Sequence, residues 1–186
     1  MSQLQLSNQY LIAMPQMADP NFHHTTTYLC EHNDDGAMGM IINRPLDLSL
    51  AEVLTQIDIT VTEPSLAAMP VYYGGPVQEE RGFVLHQPAT HWESTVVVSD
   101  TLAITTSKDI LIKIAEGAGP PQYLVTLGYA GWGPGQLEAE LADNAWLNGP
   151  ADTAIMFNTP IEDRWSQAAK SIGIDLSLIS GDTGHA

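Results

Sequence analysis

The chain has 186 residues, of which 44% are hydrophobic and 15% charged, and this balance excludes a disordered or coiled-coil protein. Asp and Glu number 22 against 6 Lys and Arg, so the formal net charge is −16 at pH 7. Because nucleic acids and anionic membranes bind mainly through protein cations, this charge argues against direct nucleic-acid binding and against a membrane partner.

Residues 1–17 contain no basic residue and too short an apolar run for a signal or membrane helix. Cys30 is the only cysteine, which excludes an internal disulfide and suits a reducing compartment. No repeat, linker or low-complexity segment divides the chain. We therefore expect a cytoplasmic protein in which residues 1–186 form a single domain.

The N-terminal part of the chain has the pattern of a β-hairpin structure. Residues 9–14 are predicted to form a first strand that Pro15 ends. Residues 25–32 and 37–43 are β-rich and flank Asn33-Asp34-Asp35-Gly36, which has the composition of a hairpin turn. Two antiparallel neighbours are therefore expected here.

The middle of the chain is predicted to be one short helix followed by strands. Ser49 followed by Glu52 is a capping-box pattern, and apolar residues then recur at helical spacing, which predicts a helix over residues 50–57. The segment from there to Pro70 is predicted to be irregular. Four further strands are expected, at residues 71–75, 82–87, 95–99 and 102–107.

The remaining elements alternate less regularly between strand and helix. Ser107 is predicted to cap a second helix that Gly117 ends, and residues 122–128 read as a buried strand. The other predicted elements are a helix with Leu137, Leu141 and Ala145 inward and Glu138, Glu140 and Asp143 facing water, a strand over residues 153–158, and a helix over about residues 161–171. Strands that cluster in this way favour an α+β fold.

The segment GYAGWGPGQLEAELADNAWL, residues 128–147, places glycines directly before a predicted helix. No lysine follows a glycine as a Walker motif requires, and Gln136 stands where a dinucleotide-binding motif needs its third glycine. The favoured interpretation is a tight corner at which Tyr129 and Trp132 pack against backbone. The alternative is an aromatic-lined ligand groove.

Longer motifs in this chain resemble the AlgH/YqgE family of uncharacterised bacterial proteins. These motifs are LIAMPQMADPNF, YLCEHNDDGAMGMIINRP, VYYGGPV with ERGFVLH, ITTSKDIL and the glycine-rich segment, and the likeness runs from about residue 8 to Gly184-His185-Ala186. The resemblance implies an α+β fold with a mixed, bifurcated β-sheet curled into a pseudo-barrel with flanking helices. It also implies a candidate transcriptional regulator, but it brings no catalytic residues, and the sequence shows no helix-turn-helix or basic face.

The cysteine and the histidines are the candidate residues for nucleophilic catalysis or metal binding. Cys30 and His32 are predicted to lie on one face of a strand, where they form either a thiolate–imidazole pair or a buried structural thiol beside a histidine. The histidines at positions 23, 24, 86 and 91 lack metal-ligand spacing. No metal and no cofactor is therefore predicted.

Arg44 and Arg81 are the most informative polar residues because cations are scarce in this chain. An anion pocket is predicted from these arginines together with the Gly74-Gly75-Pro76 turn and the helix start at Thr105, Thr106 and Ser107, while Tyr129 and Trp132 are the candidate residues of the aromatic-lined groove. The alternative is that each arginine ties a loop to a carboxylate. Arg164 is interpreted as a packing or surface-pairing residue.

Two functions follow from these patterns. The leading hypothesis is a non-catalytic regulatory protein that acts through a protein partner or a small ligand, because no constellation of residues forms a recognisable active site. The alternative is an enzyme or binder of an anionic metabolite that uses Arg44, Arg81 and the helix start at residues 105–107.

Overall fold

The computed structural model describes residues 5–179, so the resemblance that extends to residues 184–186 lies outside the described residues. Within residues 5–179, ten strands belong to one sheet. They are β1 Gln9–Ala13, β2 Thr26–Asn33, β3 Gly36–Ile41, β4 Pro45–Ser49, β5 Pro70–Tyr73, β6 Val77–Gln87, β7 Thr95–Val97, β8 Ala103–Thr105, β9 Gln122–Trp132 and β10 Trp146–Pro150.

The same residues also form short helices that pack against the sheet. They are α1 Leu50–Thr55, α2 Pro64–Ala67, α3 Lys108–Ala115, α4 Gln136–Ala142, α5 Thr153–Asn158, α6 Arg164–Lys170 and α7 Leu176–Ile179, with a 3₁₀ turn at Ile161–Asp163. Among the helices described here, none is long and apolar enough to cross a membrane.

The sheet is mixed and forks at its central strand. Its main path runs β10-β1-β2-β3-β9-β6-β8-β7, with antiparallel neighbours throughout. One edge of β9 is shared, because residues 130–132 pair with β3 while Thr126 and Leu127 pair in parallel with β5. Strand β4 then pairs with β5, so the fork separates two branches. The predicted mixed and bifurcated sheet is confirmed.

The sheet curls strongly, and the curl creates its concave side. Strands β2 and β7 are five steps apart in the path, which would separate them by about 24 Å in a flat sheet. Instead Cys30 of β2 and Val96 of β7 line one cavity. The pseudo-barrel expected from the family resemblance is therefore confirmed.

Three hydrophobic clusters hold the helices on this sheet. The first packs α5, α6 and α7 on β1, β2, β3 and β6, and its largest members include Tyr10 and Tyr28. The second packs α1 and α3 on β5, β6 and β9 through Leu54, Ile110 and Val125. The third packs α4 on β1, β2, β9 and β10 around Leu137. Alternation along β6 places Phe83 in the first cluster and Val84 in the second.

Several local predictions are confirmed. Strands β2 and β3 form the expected hairpin, in which Asn33 pairs with Gly36. Ser49 caps α1, because its Oγ accepts a hydrogen bond from the Glu52 backbone N at 3.3 Å. The expected strands near residues 71–75, 82–87, 95–99 and 102–107 are β5 to β8.

Other predictions are wrong. Residues 153–158 form the helix α5 rather than a strand, because Asp152 caps the Ala154 backbone N and the helix buries Ile155 and Met156. The strands β4 and β10 and the helix α2 were not expected. Strand β9 continues to Trp132 and α4 begins at Gln136, so the predicted strand-to-helix corner is present at residues 133–135, while Tyr129 and Trp132 belong to the strand.

Candidate ligand-binding cleft

A cavity of about 400 Å³ opens on the concave side of the sheet, and we name it the concave cavity. Its floor is apolar and includes Met38, Phe83 and Ile104. Polar groups lie around it, among them Arg81 and Thr106. An apolar floor with few polar groups is the usual composition of a small-molecule site.

Arg81 is the cation of the concave cavity. Its side chain is exposed, its Nη1 donates to Gln78 Oε1 at 3.3 Å, and its guanidinium carbon lies 5.4 Å from the centroid of the Phe83 ring. Within residues 5–179 it forms no ion pair with a carboxylate. The carboxylate of Glu31 at the rim of the cavity accepts a hydrogen bond from Asn33. The guanidinium can therefore accept an anionic ligand.

Arg44 does not join Arg81 at this cavity. Its guanidinium donates to the backbone carbonyls of Pro20, Asn21 and His23 at 2.7, 3.2 and 2.6 Å. It therefore ties down the loop before β2, through carbonyls rather than through a carboxylate. The prediction that both arginines line one pocket is wrong.

Close backbone packing explains why glycine stands at both positions of the predicted turn, Gly74 and Gly75. A Cβ on Gly74 would collide with the carbonyl of Gly128, and one on Gly75 would collide with the backbone of Tyr129 and Ala130. Gly75 also has φ of 154°. These positions let β5 and β9 approach closely, and neither glycine borders the concave cavity.

The three residues at the predicted helix start, residues 105–107, have three different roles. Thr105 is fully buried, and its Oγ1 lies 2.8 Å from both His86 Nε2 and Thr95 Oγ1. Thr106 borders the cavity. Ser107 Oγ donates to Asp109 Oδ1 at 2.5 Å, and that carboxylate also accepts from the Ile110 backbone N. Because the Asp109 carboxylate already lies in the first turn of α3, the helix start contributes Thr106 and no free anion site.

His86 and Thr105 form a buried polar contact away from the cavity. His86 Nδ1 lies 3.0 Å from the carbonyl of Pro88, so Nδ1 carries the proton and Nε2 accepts from the Thr105 hydroxyl. Burial lowers the pKa of His86, which keeps the imidazole neutral. These contacts hold the segment between β6 and β7 in place.

Tyr129 and Trp132 lie at different places in the fold, and only Tyr129 borders the concave cavity. Tyr129 borders the concave cavity and packs edge-on against Phe83, with ring centroids 5.8 Å apart. Trp132 lies in the third cluster, where its Nε1 donates to Glu140 Oε1 at 3.0 Å. Of the predicted site residues, the cavity brings together Arg81, Thr106 and Tyr129.

The acidic residues of α4 fasten this helix to the sheet. Glu140 Oε1 also accepts from Trp146 Nε1 at 2.9 Å, and Glu138 Oε2 lies 3.1 Å from His32 Nε2. The prediction that Glu140 faces water is wrong, because its carboxylate is half-buried between two indoles. The glycine-rich segment is therefore structural apart from Tyr129.

Cys30 and His32 point to different sides of β2. The register shifts between Leu29 and Glu31, so Cys30 faces the concave cavity while His32 contacts Leu6 and α4. The predicted common face is therefore wrong. Burial raises the pKa of the Cys30 thiol to about 12, and its Sγ donates to the Met38 carbonyl at 3.2 Å. This geometry is that of a structural thiol.

The other charged and histidine residues form no further site of the predicted kinds. Arg164 is buried rather than at the surface, and it donates to the carbonyls of Ile42 and Thr159. His23 and His24 stack on each other, and His24 stacks on Trp165 with centroids 3.9 Å apart. Within residues 5–179, no group of three or more His, Cys, Asp or Glu side chains is arranged to hold a metal ion.

Known proteins similar in sequence to this chain belong to one family. A family model described as AlgH-like, DUF179, matches residues 10–177. A UPF0301 protein of Thioalkalivibrio sulfidiphilus is 57% identical over 97% of this chain and 96% of its own length. One from Nitrosococcus oceani is 55% identical over 96% of both chains.

Two solved structures share the architecture. The solution structure of the AlgH protein from Pseudomonas aeruginosa is 52% identical and has a TM-score of 0.81, covering 100% of this chain and 98% of that one. A crystal structure of a protein from Corynebacterium diphtheriae is 20% identical with a TM-score of 0.75, over 97% of this chain and 94% of that one. The second likeness concerns the fold alone.

Proposed function

The chain belongs to the AlgH-like family, and from the geometry of its concave cavity we propose that it is a binding protein for a small amphiphilic anion. In this proposal the anionic group contacts Arg81, and the apolar body lies on Met38, Phe83 and Ile104. Catalysis is not part of the proposal, because no nucleophile and base are paired at the cavity.

The observation that carries this proposal is the position of Arg81. Within residues 5–179, Arg44 and Arg164 donate to backbone carbonyls, whereas Arg81 donates only to the Gln78 side chain and borders an apolar cavity of about 400 Å³. The net charge of −16 repels anions at long range, so anion binding depends on a local cation. Arg81 supplies that cation.

We further propose that an effect on gene expression, which the regulatory label of this family suggests, runs through the ligand or a protein partner in the cytoplasm. The chain has only six Lys and Arg residues, and three of them already bind carbonyl or carboxylate partners. Arg44 and Arg164 bind backbone carbonyls, and Lys113 lies 3.3 Å from Glu116. Three cations are therefore left without a carbonyl or carboxylate partner within residues 5–179, which is few for binding a phosphate backbone.

The expected result for DNA is accordingly negative. We expect the pure protein to cause no sequence-selective gel shift even at low salt, where electrostatic binding is strongest. A tight, sequence-selective shift by the protein without partner or ligand would refute this part of the proposal.

Replacing Arg81 with glutamine should selectively weaken the binding of an anionic probe. Anilinonaphthalene sulfonate joins an apolar ring system to one sulfonate, and N-phenylnaphthylamine has the same rings without the charge. Since an exposed charge-assisted contact contributes about 1 kcal/mol, Arg81→Gln should raise the Kd of the sulfonate about fivefold. The Kd of the neutral dye should stay unchanged, and fluorescence titration measures both.

Lys113→Gln is the matched control, because it removes one positive charge from an exposed side chain outside the cavity. It should leave both dyes unaffected. An equal loss of sulfonate binding in Lys113→Gln and Arg81→Gln would indicate a general charge effect and contradict the proposed contact.

A further inference from the structure

A second depression of about 460 Å³ lies over the second hydrophobic cluster, between α1 and α3, and we name it the α1/α3 basin. Its apolar lining includes Val53, Leu111, Val125 and Leu127. The concave cavity lies over the first cluster instead, so the two sites differ in their floors. Both volumes are in the range of small-molecule sites, about 300–1,000 Å³.

Gly82 keeps the α1/α3 basin open. It lines the basin, and a Cβ built on it would have no atom within 4 Å. Its neighbours along β6 point to different clusters, with Phe83 toward the first and Val84 toward the second. A side chain at this position would therefore project into the free space of the basin rather than into the core.

Four charges line the basin without pairing. They belong to Asp58, Glu80, Arg81 and Lys108, four charged residues that border the basin. In the described part of the chain, none of them forms an ion pair, although two are cations and two are anions around one depression. A purely anionic or purely cationic ligand would meet both attraction and repulsion here.

From this arrangement we propose that the α1/α3 basin binds a zwitterionic small molecule with an apolar side chain, of the class of an apolar amino acid. The carboxylate of the ligand lies toward Lys108 and Arg81, its ammonium group toward Asp58 and Glu80, and its side chain against the apolar lining. Such a ligand makes all four charge contacts favourable. This site lies beyond the anion binding proposed for the concave cavity, with Arg81 at the border of both.

The experiment is an NMR titration of the full chain with leucine and two analogues. Leucine joins both charges to one branched apolar side chain, isocaproate lacks the ammonium group and isoamylamine lacks the carboxylate. Leucine should shift the backbone resonances of Gly82, Lys108 and Leu111 and bind roughly 25-fold more tightly than either analogue, because each analogue loses two charge contacts that contribute about fivefold each. Equal affinity for an analogue, or no shift at these residues with millimolar leucine, overturns the proposal.

Two variants locate the binding. Lys108→Gln should weaken leucine binding about fivefold, whereas Lys113→Gln on the same helix should not change it. Gly82→Val should abolish leucine binding by filling the basin, with the denaturation midpoint checking that the variant folds. Unchanged leucine binding in both Lys108→Gln and Gly82→Val contradicts the site. Binding of the sulfonate dye in Gly82→Val separates this result from the concave cavity.

Discussion

Replacing Gly75 with alanine is expected to leave little folded protein. The added Cβ would occupy the position of the Tyr129 and Ala130 backbone, and φ of 154° is unfavourable for an L side chain. The colliding atoms belong to the central strand β9, which cannot move without breaking its pairing with β3 and β6. We expect a loss of more than about 4 kcal/mol in the free energy of unfolding, measured by urea denaturation.

Alanine substitutions at two other glycines distinguish the cost of the backbone collision from the cost of a positive φ. Gly117→Ala places a side chain at a positive φ of 79° in open space, so it should cost only about 1–2 kcal/mol. Gly82→Ala has open space and no positive φ, so its cost should stay below about 1 kcal/mol. If Gly75→Ala is no less stable than Gly117→Ala, the close approach of β5 and β9 is wrong.

Replacing Arg164 with methionine is the second large expected loss. Arg164 is 5% exposed, and its guanidinium donates to the buried carbonyl of Ile42 at 2.6 Å and to that of Thr159 at 3.0 Å. It also lies 5.3 Å from the Tyr72 ring centroid. Methionine fills part of the volume but donates nothing, so the Ile42 carbonyl loses its side-chain donor. The loss should be about 3 kcal/mol.

Lys170→Met on the same helix is the control, because it removes an exposed positive charge at the last turn of α6. Its free energy of unfolding should change by less than about 0.5 kcal/mol. Arg164→Lys should fall between the two, since it keeps the charge but cannot reach both carbonyls in the same way. A stability of Arg164→Met equal to that of Lys170→Met would show that the buried contacts contribute nothing.

Local sequence signals predicted much of the fold. The β2–β3 hairpin, the Ser49 cap of α1 and the Ser107 boundary of α3 follow from turn composition, capping residues and helical spacing, which act within a few residues. Strand β10 escaped prediction because Asn148, Gly149 and Pro150 are poor strand formers, and only pairing with β1 makes them a strand. That pairing joins residues more than a hundred positions apart.

At α5 the sequence predicted a strand where the structure has a helix. Residues 153–158 are rich in residues that favour strands, but Asp152 caps a helix there and packing buries Ile155 and Met156 on one side. Tertiary contacts decided the outcome where composition suggested a strand. The register shift in β2 had the same effect on Cys30 and His32, because no sequence pattern marks a bulge.

The candidate site was only partly predictable. Scarcity of cations drew attention to Arg81, which borders the concave cavity, but the same reasoning included Arg44, whose guanidinium binds carbonyls of the loop before β2. The sequence did not identify Lys108 as a candidate binding residue, because a single lysine after a capping serine forms no motif that indicates a binding site. Its place beside Arg81 depends on how α3 lies against β6, and this is a property of the folded sheet.

The most direct test of the proposed function is an NMR titration of the full chain with anilinonaphthalene sulfonate, observing methyl groups. The proposal predicts that Met38 and Ile104, on the floor of the concave cavity, shift together and saturate at the Kd given by fluorescence. It also predicts that Arg81→Gln moves this saturation to about fivefold higher dye concentration. Shifts confined to exposed apolar residues such as Leu178, with Met38 and Ile104 unmoved, would contradict it.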